Sequence, residues 1–154
     1  MEFVFDRTRE DVLNAKKIKQ DKFLKGVALT DEEIQIMSKG ALGLDDINRI
    51  QNNFNTIQGK MNRFGYFSQT SGGFGQFSQN GIFYDTYFKE WFTRIQALKK
   101  AFFPYSDTPS QPTARLYYEE INKLEKTLFD LNKRLVEMEG FFEECGNLEC
   151  GGQI

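Results

Sequence analysis

The residues whose types could do chemistry fall into a few groups. Three acidic clusters, Asp31-Glu32-Glu33, Asp45-Asp46 and Glu119-Glu120, offer the carboxylate pairs that a glycosidase uses as acid and base or nucleophile. Cys145 and Cys150 offer thiols, and the lysines at 16, 17, 19, 22 and 25 form a basic run that a phosphate would find attractive. The chain has no histidine. That removes the side chain most often used for proton relays near neutrality, for catalytic triads and for transition-metal sites. The acidic clusters all stand where helices should begin, and favourable interaction with the helix dipole explains them without catalysis. A structural zinc needs four ligands, so two cysteines in a turn-rich tail cannot complete one within a single chain, and free thiols in a reducing cytosol are expected. The lysine run reads as a solvated face near the end of a first helix. These residues predict no catalytic group, no cofactor and no metal, hence not an enzyme.

Composition points the same way. Over 154 residues the net charge is −2, which argues against nucleic acid as a partner, since such binders need a basic surface to displace counterions. No apolar run approaches the ~20 residues of a membrane span, and Met1 to Asp6 lacks the basic start and apolar stretch of a signal peptide, so no membrane insertion or export by that route is expected. There are 16 Phe, 6 Tyr and one Trp against 3 Pro, so aromatic rings should dominate the packing.

The elements that would carry these residues repeat. Asp45-Asp46-Ile47-Asn48-Arg49-Ile50-Gln51 returns, class for class, as Glu119-Glu120-Ile121-Asn122-Lys123-Leu124-Glu125 at an offset of 74. The same offset pairs Phe54 with Leu128, Ile57 with Leu131, Met61 with Leu135 and Phe64 with Met138. The spacing predicts an all-α chain: a helical bundle or coiled-coil-like hairpins built from two related half-modules. Helices are expected from Thr8 to about Gly26, from Thr30 (a capping box with Glu33) to Gly40, over about 45–63, from Asp85 to about Phe103, and over about 117–139. The last carries the most regular seam, with Tyr117, Ile121, Leu124, Leu128, Leu131, Leu135, Met138 and Phe142 at alternating four- and three-residue steps. Its flanking positions, Glu120, Glu125, Thr127, Asn132, Arg134 and Glu139, read as a solvated or oligomer-edge surface.

Residues 1–63 thus form an N-terminal helical half-module, 64–83 a Gly/Ser/Phe-rich connector, 84–144 a C-terminal helical half-module and 145–154 a Gly/Cys tail. In the connector, Phe74 and Phe77 are either anchors that dock on the helices or part of an exposed aromatic surface for sugar or protein; the connector reading is preferred because no strand pattern sets the rings on one face. The Pro104 to Pro112 segment should be an extended crossover. Asn48 and Asn122 are singled out because Asn is a poor helix former in a first turn, so its recurrence suggests an amide that bonds a neighbouring loop. Arg49 and Lys123 beside them could bridge to an acidic partner.

In order, Phe5-Asp6-Arg7-Thr8, Leu29-Thr30-Asp31-Glu32-Glu33, Lys39-Gly40-Ala41-Leu42 and Asp46-Ile47-Asn48-Arg49-Ile50-Gln51, then Arg94-Ile95-Gln96-Ala97-Leu98-Lys99 and Leu116-Tyr117-Tyr118-Glu119-Glu120-Ile121-Asn122-Lys123-Leu124-Glu125, resemble the motif series of tail-associated proteins of phages and prophages of Gram-positive bacteria. Gln51 stands where that group has Glu, Tyr117 where it has Thr, and Cys145 and Cys150 stand in a Gly-rich ending where the group often reads Tyr-Ser-Gly-Glu. The resemblance implies a virion structural protein made in the host bacterial cytoplasm and placed at the baseplate or tail-fibre attachment. Its partners would be other tail proteins and further copies of itself, as a trimer or at hexamer-related sites, assembled through the helical seams. The alternative is a host-adsorption module that uses the aromatic, Gly-rich segment.

Overall fold

A computed structural model describes residues 1–68, 74, 85–110 and 117–146. Phe77, the rest of the connector and residues 147–154 with Cys150 lie outside that set. The described residues are all-helical: α1 (Arg9–Asp21), α2 (Asp31–Gly40), α3 (Leu44–Arg63), α4 (Asp85–Ala101) and α5 (Tyr118–Gly146), with a short 3₁₀ turn at Phe23–Lys25.

Local chemistry accounts for the ends. Thr8 and Asp11 form a reciprocal capping box at α1, with Asp11 N–H on Thr8 Oγ1 at 3.2 Å and Thr8 N–H on Asp11 Oδ2 at 2.8 Å. Thr30 and Glu33 do the same for α2, at 3.3 and 3.0 Å. At α3, Gly43 has no side chain to offer, so only the return bond exists: its N–H donates to Asp46 Oδ2 at 3.1 Å. α3 stops in a Schellman turn. Gly65 takes φ 81°, its N–H reaches Asn62 O at 3.1 Å, and Tyr66 N–H reaches Met61 O at 2.9 Å. α1 is shorter than its pattern suggests and gives way to the 3₁₀ turn, closed by Gly26 at φ 68°. α5 is longer: it runs through Gly140 to Gly146 and takes Cys145 into the helix.

α1 and α2 form a tight antiparallel hairpin. Gly40 lies so close to α1 that a Cβ there would sit 2.0 Å from the carbonyl oxygen of Asp11 and 2.7 Å from Ala15 Cβ, and only glycine permits that approach. The main core is formed by the other three helices. Ile47, Ile50, Phe54, Ile57 and Met61 of α3, Phe88, Trp91, Ile95 and Leu98 of α4 with Phe102 just beyond it, and Ile121, Leu124, Leu128, Leu131 and Leu135 of α5 are all buried in one cluster.

The long helices correct the hairpin expectation. α3 and α5 run parallel, because Arg49 pairs with Glu125 near their starts, Lys60 with Glu139 at 3.1 Å further on, and Phe64 stacks on Phe142 at 5.7 Å at the end. α4 points the same way: Trp91 meets Phe74, which packs on Phe54 in mid-α3, whereas Phe102 packs on Tyr66 just past α3. Parallel neighbours need long returns. On the second return Tyr105 lies under Arg134 at 4.3 Å, and Thr108 donates to Asp130 at 2.9 Å, so this segment descends α5 as the chain advances. Among the described helices only α1 and α2 form a hairpin.

Candidate functional site

The densest polar arrangement lies at the starts of α3 and α5, where the extended N-terminal segment crosses them. Arg7 and Arg49 face Asp46 and Glu125. Arg7 donates to Glu125 Oε1 and Asp46 Oδ1, both at 2.9 Å, and Arg49 donates to Asp46 Oδ1 at 2.6 Å and Glu125 Oε1 at 3.1 Å, with a further short bond to Glu125 Oε2. Glu125 is fully buried and also accepts the Val4 N–H at 2.9 Å. Two guanidiniums against two carboxylates leave no net charge, which is the condition under which such a group can be buried. Burial works against the charge of Arg49, and its hydrogen bonds to Glu125 and Asp46 more than offset this, raising its pKa above the ordinary guanidinium value.

The clamp holds the N-terminal segment by its backbone as well. Asn122 Nδ2 donates to Arg7 O at 2.8 Å, Asn53 Nδ2 to Glu2 O at 2.6 Å, and Arg7 Nη1 turns back to Val4 O at 2.6 Å. Phe3 and Phe5 both pack on Phe129, at 5.6 and 5.2 Å. Lys39, at the end of α2, pairs with Asp6 at 3.3 Å and Asp11 at 3.5 Å and so ties the hairpin to the same segment; the hydrogen bond to Asp6 raises its pKa. A cleft of about 170 Å³ between Val12, Gly40, Leu42, Tyr118 and Ile121, floored by Arg7, marks the hairpin's seat.

The residues singled out from sequence fall in three places. Arg49 and Asn122 belong to the clamp; Asn48 is half-buried beside it, and Lys123 pairs with Glu120 at 2.9 Å on α5. Ile121, Leu124, Leu128, Leu131 and Leu135 are core, 0–3% exposed, and Met138 packs partly buried against them, but Tyr117 and Phe142 at the two ends of the expected seam are 57% and 61% exposed, because they lie beyond the stretch that α3 and α4 cover. The seams are consumed inside the chain, so they cannot be the surface through which copies assemble. Phe74 is docked: its ring meets Phe54 at 4.9 Å, Trp91 at 6.4 Å and the Arg94 guanidinium at 4.4 Å, and its backbone exchanges two 2.7 Å bonds with the Asn55 amide.

Glu120, Glu125 and Thr127 are buried, which corrects their reading as solvated or oligomer-edge positions. The N-terminal segment and the second return cover flanks of α5 that a lone amphipathic helix would leave wet. Sequence reasoning also missed Arg7, which stands outside any helical period, and Asp46 as an ion-pair partner. The available signal was the buried pair Gln51 and Glu125, polar in both copies at one position of the repeat. Among the described residues no group of three or more Cys, Asp or Glu could hold a metal ion, and no helix is long and apolar enough to cross a membrane. No protein-family model matches the chain, and neither a curated protein nor a solved structure does.

Proposed function

We propose that this chain is a non-enzymatic structural component of a phage tail or tail-like particle, located at the baseplate or tail-fibre attachment and made in the host bacterial cytoplasm. One observation carries the reading. Four of the six motif blocks that resemble the tail-associated group, spread from residue 5 to residue 125, meet at a single place, while those at 29–33 and 94–99 lie elsewhere. Arg7 comes from the first block, Gly40 from the Lys-Gly-Ala turn, Asp46 and Arg49 from the first motif helix, and Asn122 and Glu125 from the second. Their shared role is to fasten the N-terminal segment and the α1–α2 hairpin across two parallel helices. This is the work of a scaffold, and the carboxylates involved spend their lone pairs on guanidinium and backbone donors.

In this reading α3, α4 and α5 are a parallel three-helix bundle, with α3 and α5 as the motif helices of two related half-modules, and other tail proteins and further copies dock on its outer surface. The adsorption alternative would have to work without the Phe74 ring, whose faces are occupied within the chain. Deleting the gene from a phage or prophage that carries it tests the proposal. Particles lacking fibres or a complete baseplate are expected, and infectious particles of unchanged morphology would contradict it. Saturable binding of the purified protein to host cell wall, lost on removal of residues 66–80, would favour the alternative.

A further inference from the structure

One donor of Arg7 is left over from the clamp. The side chain is buried, with the residue 5% exposed. Nη1 donates to Val4 O and Glu125 and Nη2 donates to Asp46, but among the described residues the buried Nε–H has no acceptor. Buried donors in folded proteins are nearly always paired, so an orphan marks a place where something else binds. The same side chain floors the cleft of about 170 Å³ at the hairpin's seat, whose walls are Val12, Leu42 and Ile121, with Tyr117 and Tyr118 at one side. Tyr117 is 57% exposed, so the cleft opens to solvent past its ring.

We infer that this cleft binds a small neutral ligand, a ring-sized apolar body carrying one carbonyl oxygen that accepts the Arg7 Nε–H. Volume sets the size of the body. A cavity of about 150 Å³ takes a single benzene ring, whereas a drug-sized molecule needs about 300 Å³ or more. The walls set its polarity. Val12, Leu42 and Ile121 offer hydrocarbon, and the Tyr118 hydroxyl is already engaged by the Glu119 carboxylate. Water alone suits such a place poorly, since an ordered water needs about 2–4 polar partners and the orphan Nε–H supplies one. Charge decides against an anion. The guanidinium is already answered by Glu125 and Asp46, and Glu119 and Glu120 share the first turn of α5 with Tyr118, so a carboxylate or phosphate would meet repulsion. A neutral carbonyl completes the donors of Arg7 and leaves that balance undisturbed. The inference is independent of the particle reading, because ligand titration tests the one and gene deletion the other.

The test is an NMR titration of the full isotope-labelled chain with benzamide, which joins one ring to one neutral carbonyl. The Arg7 Nε–H signal and the methyl signals of Val12, Leu42 and Ile121 should shift together along one saturable isotherm. Benzoate, the anionic analogue, and toluene, which has no acceptor, should each bind at least about tenfold more weakly, the effect of one lost hydrogen bond. Val12→Phe, which fills the cleft from a partly exposed position on α1, should abolish the response while circular dichroism shows the helix retained. Should that variant lose its helix, the wild-type titration with the three probes decides alone. An Nε–H signal unmoved by benzamide into the millimolar range would overturn the inference. So would benzoate binding as tightly as benzamide, a long-lived water contact to the Nε–H that benzamide does not displace, or shifts that persist in a folded Val12→Phe.

Discussion

At the scale of single residues, the clamp and the close approach at Gly40 are the points where one atom decides the outcome. Glu125→Gln would leave the buried Arg7 and the half-buried Arg49 facing the one charge of Asp46, and losing one partner of such a set costs about 3–5 kcal/mol. Urea unfolding should show that loss. Gly40→Ala puts a methyl group into the backbone of α1, where neither Asp11 nor Ala15 can yield cheaply, and overpacking of this kind costs about 1–3 kcal/mol. Hydrogen exchange should quicken over residues 9–40 and stay unchanged in α3 and α5. Acid should act on the same hairpin. Hydrogen bonds from the Thr8 backbone and hydroxyl hold Asp11 below its ordinary 3.8, and the Lys22 ammonium followed by the Thr30 N–H holds Glu33 below 4.5. Both folded pKa values lie under the unfolded ones. The caps therefore contribute fully above about pH 4.5 and fade as pH falls through the folded values, so amides of α1 and α2 should lose protection on acidification towards pH 3. The Thr30–Glu33 box is legible in sequence because both partners lie within four residues. Arg7 with Glu125 is not, because their bond spans 118 positions and only the fold brings them together.

At the scale of elements, the helix positions and the three- and four-residue spacing of their apolar faces could be read directly, since periodicity is a local property of the chain. Direction could not. An apolar stripe is the same whether its neighbour runs parallel or antiparallel, and the long returns that permit a parallel arrangement look in sequence like connectors of unspecified course. The contacts of Phe74, Tyr105 and Thr108 show where the described parts of those returns lie. Burial of Glu125 and Asp130 was hidden for a related reason: Val4 and Arg7, which bond the first, and Thr108, which bonds the second, lie outside helices and carry no period. The central test at this scale is Leu128→Asp. Leu128 is fully buried among three helices, so an unpaired carboxylate there should cost at least about 4 kcal/mol and abolish the cooperative melt followed by circular dichroism. A variant that melts like the wild type would mean that the seam is not the core.

At the scale of the whole molecule, a neutralised clamp and a three-helix core fasten the N-terminal segment and the α1–α2 hairpin to one body. Arg7, Gly40, Asp46, Arg49, Asn122 and Glu125 converge, which the spacing of the motifs along the chain does not disclose. Surface placement was the least legible feature, since Phe141 and Phe142 share the composition of the core and differ from it only in lying near the end of α5, past the last residues of α3 and α4. The central claim, that this chain is a fixed part of a tail, is tested most directly by gold labelling of a short tag inserted after Asp107 in the exposed second return, with purified particles viewed in negative stain. Label at one end of the tail, in a constant number per particle, is the predicted result. Particles without label, from cells in which the tagged protein is abundant and folded, would contradict it.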